Sequence, residues 1–405
     1  MNTATSMPPR VLIAESDPWM RDLLSQMLLG VRCDARLQAC ATGPEALEHL
    51  REPPDLVIAA RELLGISGLD LLRGVRKSPR LSALPFILLS ERSDSASVRE
   101  VLPLAPTAYL TKPLNMTSLK ARLQTLLSGS AEAVVCRIPQ IAAGTTLEQY
   151  LTRRRLDCDG GPLLCDVQAA VQRALGPEGL NLKVLEANVR SDPQVTGVLV
   201  SAANSAAKQG AAPVLTLMQA LQALGPTQSM NLLLGMTTRP SAYLSDPLLL
   251  EQAEICWNRS THTAEFARNI ARQQNVDEWR CYCAGVLHCL GDLALLRVLQ
   301  EWRLAGGDLD ETKLTYALRT FGAPYGSELR RRWRLPLELR EMIAAAYQLG
   351  GGVYTREKLI VNIAAQMASL GADEDVTQIA QGKPARLLKI GVSQLNWWRG
   401  APMIR

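Results

Sequence analysis

Cys281, Cys283, His288 and Cys289 fall within nine residues, and Cys256 precedes them. Side chains of these types ligate metals or act as nucleophiles. Catalytic metal sites are commonly built from several His and carboxylate ligands. The chain has three histidines, His49, His262 and His288, so a His-rich centre cannot be assembled from it alone. A cysteine-rich site is the rival. On a helix, Cys281 and His288 share a face while Cys283 points away. That spacing matches neither a zinc knuckle nor a zinc ribbon. His288 therefore reads as a hydrogen-bonded core residue. No metal, cofactor or catalytic residue is expected.

The densest charge is Arg330-Arg331-Arg332-Trp333-Arg334. Leu329 and Trp333 are an i, i+4 pair expected to face a core. That turns Arg330, Arg331 and Arg334 outward. They form either a solvated helix face or, with Arg319 and Arg340 nearby, a patch for phosphates or an acidic partner.

The elements that must position these groups change type along the chain. Its 405 residues allow two or three domains. Aromatics make up only 4%, so the cores are aliphatic. A net charge of +5, spread along the chain, does not argue for nucleic acid. Met1–Arg10 holds no apolar signal region, and no run reaches the roughly 20 consecutive apolar residues of a membrane span. A cytoplasmic protein with reduced cysteines is expected.

From residue 8 to 128, apolar runs alternate with amphipathic stretches. Strands are predicted at Val11–Ala14, Leu37–Cys40, Leu56–Ala60, Phe86–Leu89 and Ala108–Leu110. Helices are opened by Asp17-Pro18, Gly43-Pro44 and Asn115. This is an α/β pattern with a five-stranded parallel sheet, whose function gathers at the carboxyl ends of the strands. A linker, 129–161, carries a capping box at Thr145-Thr146-Leu147-Glu148 and a solvated helix end at Arg153–Arg155. From 162 to 400 the period is helical, with stripes such as Leu164, Val167, Val171 and Leu175, and about ten helices are expected. A helix over Leu359–Leu370 should close the bundle. Trp397 and Trp398 are core anchors or an exposed contact patch.

Two family resemblances lie on these residues. Val11-Leu12-Ile13-Ala14-Glu15-Ser16-Asp17-Pro18 and Asp55–Ala60, with Gly65 and Ser67-Gly68, resemble the first and third strands and loops of a response-regulator receiver. The resemblance implies a flavodoxin-like fold. It places Glu15 and Asp17 in a Mg²⁺-binding acidic loop, with Ser16 at a position normally Asp. It makes Ser90 the hydroxyl residue of the fourth strand, Tyr109 the aromatic switch position, and Lys112-Pro113 the lysine and its proline. Ala60 falls on the phosphoacceptor position. No Asp lies between Asp55 and Asp70, and Glu62 sits past the strand end. Lys112 is expected to pair with Glu15 or Asp17 instead.

The second region resembles the HDOD domain, a relative of the HD metal-dependent phosphohydrolases without their catalytic set. Ser191-Asp192-Pro193, Ala203-Asn204-Ser205, Leu221 to Gly225, Trp257-Asn258-Arg259-Ser260, Gly285 to Asp292, and Trp333 to Pro336 carry it. Arg259 stands where the family commonly has His, and Cys289 where it has the Asp of the His-Asp pair. Arg259, His288, Cys289 and Asp292 would form a degenerate HD site.

The two resemblances imply a multidomain, non-catalytic bacterial signalling protein. It would be an adaptor or scaffold in two-component or cyclic-di-GMP signalling, touching a kinase, a response regulator or a cyclic-di-GMP enzyme. The docking face, near Val98–Leu102, Tyr109 and Leu119–Leu123, would also serve a homodimer. A nucleotide sensor using the degenerate HD pocket is the alternative, followed by a residual metal-dependent phosphohydrolase.

Overall fold

The computed structural model describes residues 8–32, 34–92, 94–112, 114, 116–127, 141–142, 144–176, 179–207, 211–237, 242–350, 353–371 and 374–400. Pro113 and Asn115 lie outside them. The chain divides into two compact units, 1–137 with 227–240, and 138–226 with 241–405.

The first unit is built on β1 (Arg10–Ala14), β2 (Arg36–Cys40), β3 (Leu56–Ala60), β4 (Phe86–Ser90) and β5 (Ala108–Thr111). They form one parallel sheet in the order β2-β1-β3-β4-β5. β3 and β4 are buried along their whole length, which explains their unbroken apolar runs. Alternate residues feed two cores. Val11, Ile13, Ile58 and Leu89 meet α1 (Pro18–Val31) and α5 (Met116–Leu127). Leu12, Val57, Phe86 and Leu88 meet α2 (Gly43–His49), α3 (Gly68–Lys77) and α4 (Ser95–Val101). Side-chain hydroxyls and a carboxylate start three of these helices. Thr42, Ser67 and Asp94 each accept a hydrogen bond from the backbone NH three residues on. Leu119 and Leu123 are fully buried in the first core, so they do not belong to an exposed docking face; Leu102 is exposed.

The second unit is helical apart from one short antiparallel hairpin, Leu175–Gly176 with Gly179–Leu180. There the expected stripe of α7 (Val167–Ala174) ends, and Leu175 is exposed. α6 (Leu147–Arg154) begins in a capping box one residue later than expected, Thr146 with Gln149, because Thr146 takes the N-cap conformation. Its end is not wholly solvated, since Arg154 pairs with Glu301 at 2.6 Å. α8 (Leu182–Val189), α9 (Pro193–Ala206) and the start of α10 (Leu217–Thr237) follow; α10 breaks at Gly225–Pro226, and its residues from 227 on belong to the first unit.

The centre is α11 (Pro247–Gln273), which packs on α12 (Glu278–Leu287), α13 (Leu290–Leu304) and α16 (Arg356–Ser369). Glu278–Leu304 is long and apolar enough to cross a membrane by composition, yet its most apolar 18-residue stretch is wholly buried inside this unit. α14 (Glu311–Arg332) crosses α13 where Gly291 meets Gly322 and Gly326; a Cβ on Gly291 would collide with their backbones. α15 (Leu337–Ala345) leads to α16, which is buried in the core rather than closing the bundle. α17 (Thr377–Gln381), α18 (Lys383–Leu388) and α19 (Val392–Gly400) come after it. On α19, Trp398 is 1% exposed and Trp397 61%, so one anchors the core and the other faces solvent.

Candidate functional sites in the two units

In the first unit the sequence-predicted residues meet at the carboxyl edge of the sheet. β1 delivers Glu15, 1% exposed, and β5 delivers Lys112. Their side chains pair at 3.0 Å, Nζ to Oε2. The other Glu15 oxygen accepts the Asp17 backbone NH at 3.1 Å, and Arg21 donates to the Glu15 carbonyl at 2.5 Å. Ser16 is exposed.

Ala60 ends β3 as a buried methyl group. Gly68 sits against its carbonyl, where any Cβ would collide. Ser90, buried at the end of β4, donates through Oγ to Glu62 Oε1 at 3.2 Å and accepts the Arg92 NH at 3.0 Å. The Tyr109 hydroxyl donates to the Arg92 carbonyl at 2.6 Å. A polar chain thus runs from Glu62 through Ser90 and Arg92 to Tyr109.

A second network was not foreseen. Arg61, next to Ala60 and buried, pairs with Glu100 at 2.6 Å, and Arg73 joins Glu100 to Asp70 at 2.7 and 2.8 Å. Arg73 and Arg61 hold the Glu100 carboxyl below its ordinary range. The only sequence signal was an arginine at a strand end.

The donor set at this edge does not fit a divalent cation. The side chain at position 60 offers no oxygen, position 16 offers a hydroxyl in place of a carboxylate, and one Glu15 oxygen faces the Lys112 ammonium. Ala60 places no carboxylate at the end of β3 to act as a phosphoryl acceptor.

In the second unit, Arg259, His288, Cys289 and Asp292 converge. Arg259 projects from α11, His288 and Cys289 occupy the break between α12 and α13, and Asp292 lies in the first turn of α13. Arg259 Nη2 meets Asp292 Oδ2 at 2.8 Å, and its Nε donates to the Cys289 sulfur at 3.4 Å. His288 Nδ1 lies 2.7 Å from the Gly285 carbonyl, so that nitrogen carries the proton. Nε2 is left to accept from the Cys289 thiol at 3.1 Å. Tyr347 donates to the His288 carbonyl at 2.5 Å.

Burial sets the protonation states. Desolvation pushes His288 down to about 4, against the opposing Gly285 carbonyl. It pushes Asp292 up to about 6, although Arg259 pulls the other way. The Cys289 thiol is raised by the same desolvation, so it stays protonated. Both ring nitrogens of a neutral imidazole are thus engaged, and the Arg259 guanidinium is bonded to Cys289 and Asp292. This set does not fit a metal ion; no cluster of three or more His, Cys, Asp or Glu ligands occurs among the described residues.

The arginine cluster comes apart. Arg331 and Arg334 are exposed, but Arg330 is buried. Its guanidinium lies over Gly326 and donates to Ser327 Oγ at 3.1 Å. With no side chain on Gly326, the groove beside α13 is open to Arg330, so the residue next to Leu329 turns inward too.

These two sites belong to two recognised domain types. The response regulator receiver domain family matches residues 11–124. The HDOD domain family matches residues 162–349. A region matching the receiver domain is therefore followed by one matching the HDOD domain, a pairing that supports a part in signal transduction. Over 120 residues it is 33% identical to the transcriptional regulatory protein AfsQ1 of Streptomyces coelicolor, a match covering 29% of this chain and 51% of that protein. Over 121 residues it is 32% identical to the sensor histidine kinase TmoS of Ectopseudomonas mendocina, covering 30% of this chain and 12% of that one. The chain thus spans about half of AfsQ1 and far less of TmoS. Among solved structures, the receiver domain of a signal transduction histidine kinase from Syntrophus aciditrophicus is similar, with 28% identity and a TM-score of 0.28 over 31% of this chain and 94% of that one.

Proposed function

We propose that this chain is a non-catalytic regulator, an adaptor that works through protein contacts in bacterial two-component or cyclic-di-GMP signalling. The observation that supports this reading is the state of the receiver edge. Ala60 presents a methyl group, and Lys112 is held by Glu15 at 3.0 Å. In the HDOD site a carboxylate is likewise held by a cation, Asp292 by Arg259. Control would come from partner binding, abundance or a ligand. The partners would be a kinase, a response regulator, a cyclic-di-GMP enzyme or a second copy of this chain, in the cytoplasm. The face around Leu102 and Tyr109 would receive them.

The test is incubation of the full chain with acetyl phosphate and Mg²⁺, read on a phosphate-affinity gel and by mass spectrometry. The expected result is no aspartyl phosphate. A label on any aspartate of residues 11–124 would overturn the reading. In parallel, phosphodiesterase assays with Mn²⁺ should show no turnover above the level of the His288→Ala variant.

A further inference from the structure

The HDOD domain holds a half-open pocket of about 460 Å³ between α11, α13, α14 and α16. Arg259, Asp292, Arg319, Gln252, Gln366 and Tyr347 are among its lining residues. Its charge balance is positive. Arg319 makes no ion pair among the described residues, whereas Arg259 is paired with Asp292. The remaining titratable groups carry no charge at neutral pH. His288 is neutral, and burial raises the Cys256 thiol to about 11. Two guanidinium groups therefore face one carboxylate.

We propose that this cavity binds a small phosphate-bearing metabolite, anchored by Arg319 and gripped by Arg259 as it leaves Asp292. The proposal rests on the reading of the HDOD domain as non-catalytic and names the ligand class that reading left open. A guanidinium fork matches phosphate oxygens in a bidentate way, and two forks on different helices define where the phosphate sits. The rest of the ligand meets amides. Gln366 donates to Asn362 at 2.6 Å, which leaves its carbonyl oxygen for a ligand donor. The volume lies toward the small end of the range of roughly 300–1,000 Å³ for such sites. It suits one nucleoside monophosphate or sugar phosphate better than a dinucleotide.

The experiment is calorimetric titration of the full chain with AMP, ribose 5-phosphate, inorganic phosphate, cyclic di-GMP and, as a control, succinate. AMP or ribose 5-phosphate is expected to bind most tightly. Arg319→Gln, a change at an exposed position, should weaken that binding roughly tenfold, the loss of one charge-assisted fork. Asp292→Asn should tighten it, because Arg259 is released. Arg331→Gln, outside the cavity lining, should change nothing. No heat from any probe, binding indifferent to Arg319→Gln, or succinate bound as tightly as the phosphates would overturn the proposal and leave the adaptor reading intact. Release of phosphate from a bound probe with Mn²⁺ present would support the site and end the non-catalytic reading.

Discussion

Ser90 and Glu62 meet through a 3.2 Å hydrogen bond at the carboxyl edge of the receiver sheet. The carboxylate arrives from two residues beyond Ala60, and Ser90 passes the contact to the Arg92 NH. Because Tyr109 holds the carbonyl of the same Arg92 at 2.6 Å, the Arg92 backbone is held at both its NH and its carbonyl.

That relay should be visible in exchange rates. Glu62→Ala and Ser90→Ala are each expected to speed amide exchange around Arg92, at a stability change of about 1 kcal/mol. The double variant should exchange no faster than either single one, since they break one chain. Additive effects in hydrogen-exchange mass spectrometry would show that the two residues act separately.

The Lys112–Glu15 pair is largely buried, with side chains 14% and 1% exposed. Lys112→Met leaves a carboxylate without its cation and should destabilise the receiver by about 3 kcal/mol. Adding Glu15→Gln should recover much of that loss, because the stranded charge is gone. Urea unfolding of the four members of this cycle checks both statements.

His288 and Asp292 give opposite pH dependences. His288 is lowered from 6.5 to about 4, so its contribution is full above 6.5 and fades as pH falls through 4. Asp292 is raised from 3.8 to about 6, so its contribution is full below 3.8 and fades as pH rises through 6. In the native chain the two slopes offset each other between pH 4 and 6. Asp292→Asn should unmask a stability that rises with pH across this window. His288→Gln should unmask one that falls. Melting temperatures at pH 4.5, 5.5 and 6.5 read the signs, and equal slopes in the two variants would contradict the assignment.

Arg330 is buried, and desolvation lowers its affinity for the proton. Replacing such a cation by an apolar side chain of similar length is often neutral or stabilising. Arg330→Met should therefore leave the melting temperature unchanged or raise it, with no effect on binding to heparin or acidic resin. A loss of about 2 kcal/mol or more would show that its contacts outweigh its desolvation.

The sequence determined what the local periods and residue types can express. β3 and β4 were legible because a doubly covered strand must be apolar throughout. The lack of a carboxylate at Ala60 and the shortage of histidine are facts of composition that no folding can reverse. Arg259, Cys289 and Asp292 were legible as candidates, because their motifs are contiguous. Their interaction was not, since 33 residues separate Arg259 from Asp292. Only the packing of α11 on α13 brings the two together.

The same limit applies elsewhere. A helical stripe is broad, so periodicity could not say whether Arg330 lies inside its edge or outside. The open groove over Gly326 decided it. Adjacent tryptophans on α19 have identical chemistry, and tertiary packing alone placed Trp398 in the core and Trp397 in solvent. The Glu62–Ser90 contact and the cavity beside Arg319 likewise exist only once distant segments are packed. A side chain's partner across the fold depends on geometry that no short window of sequence contains.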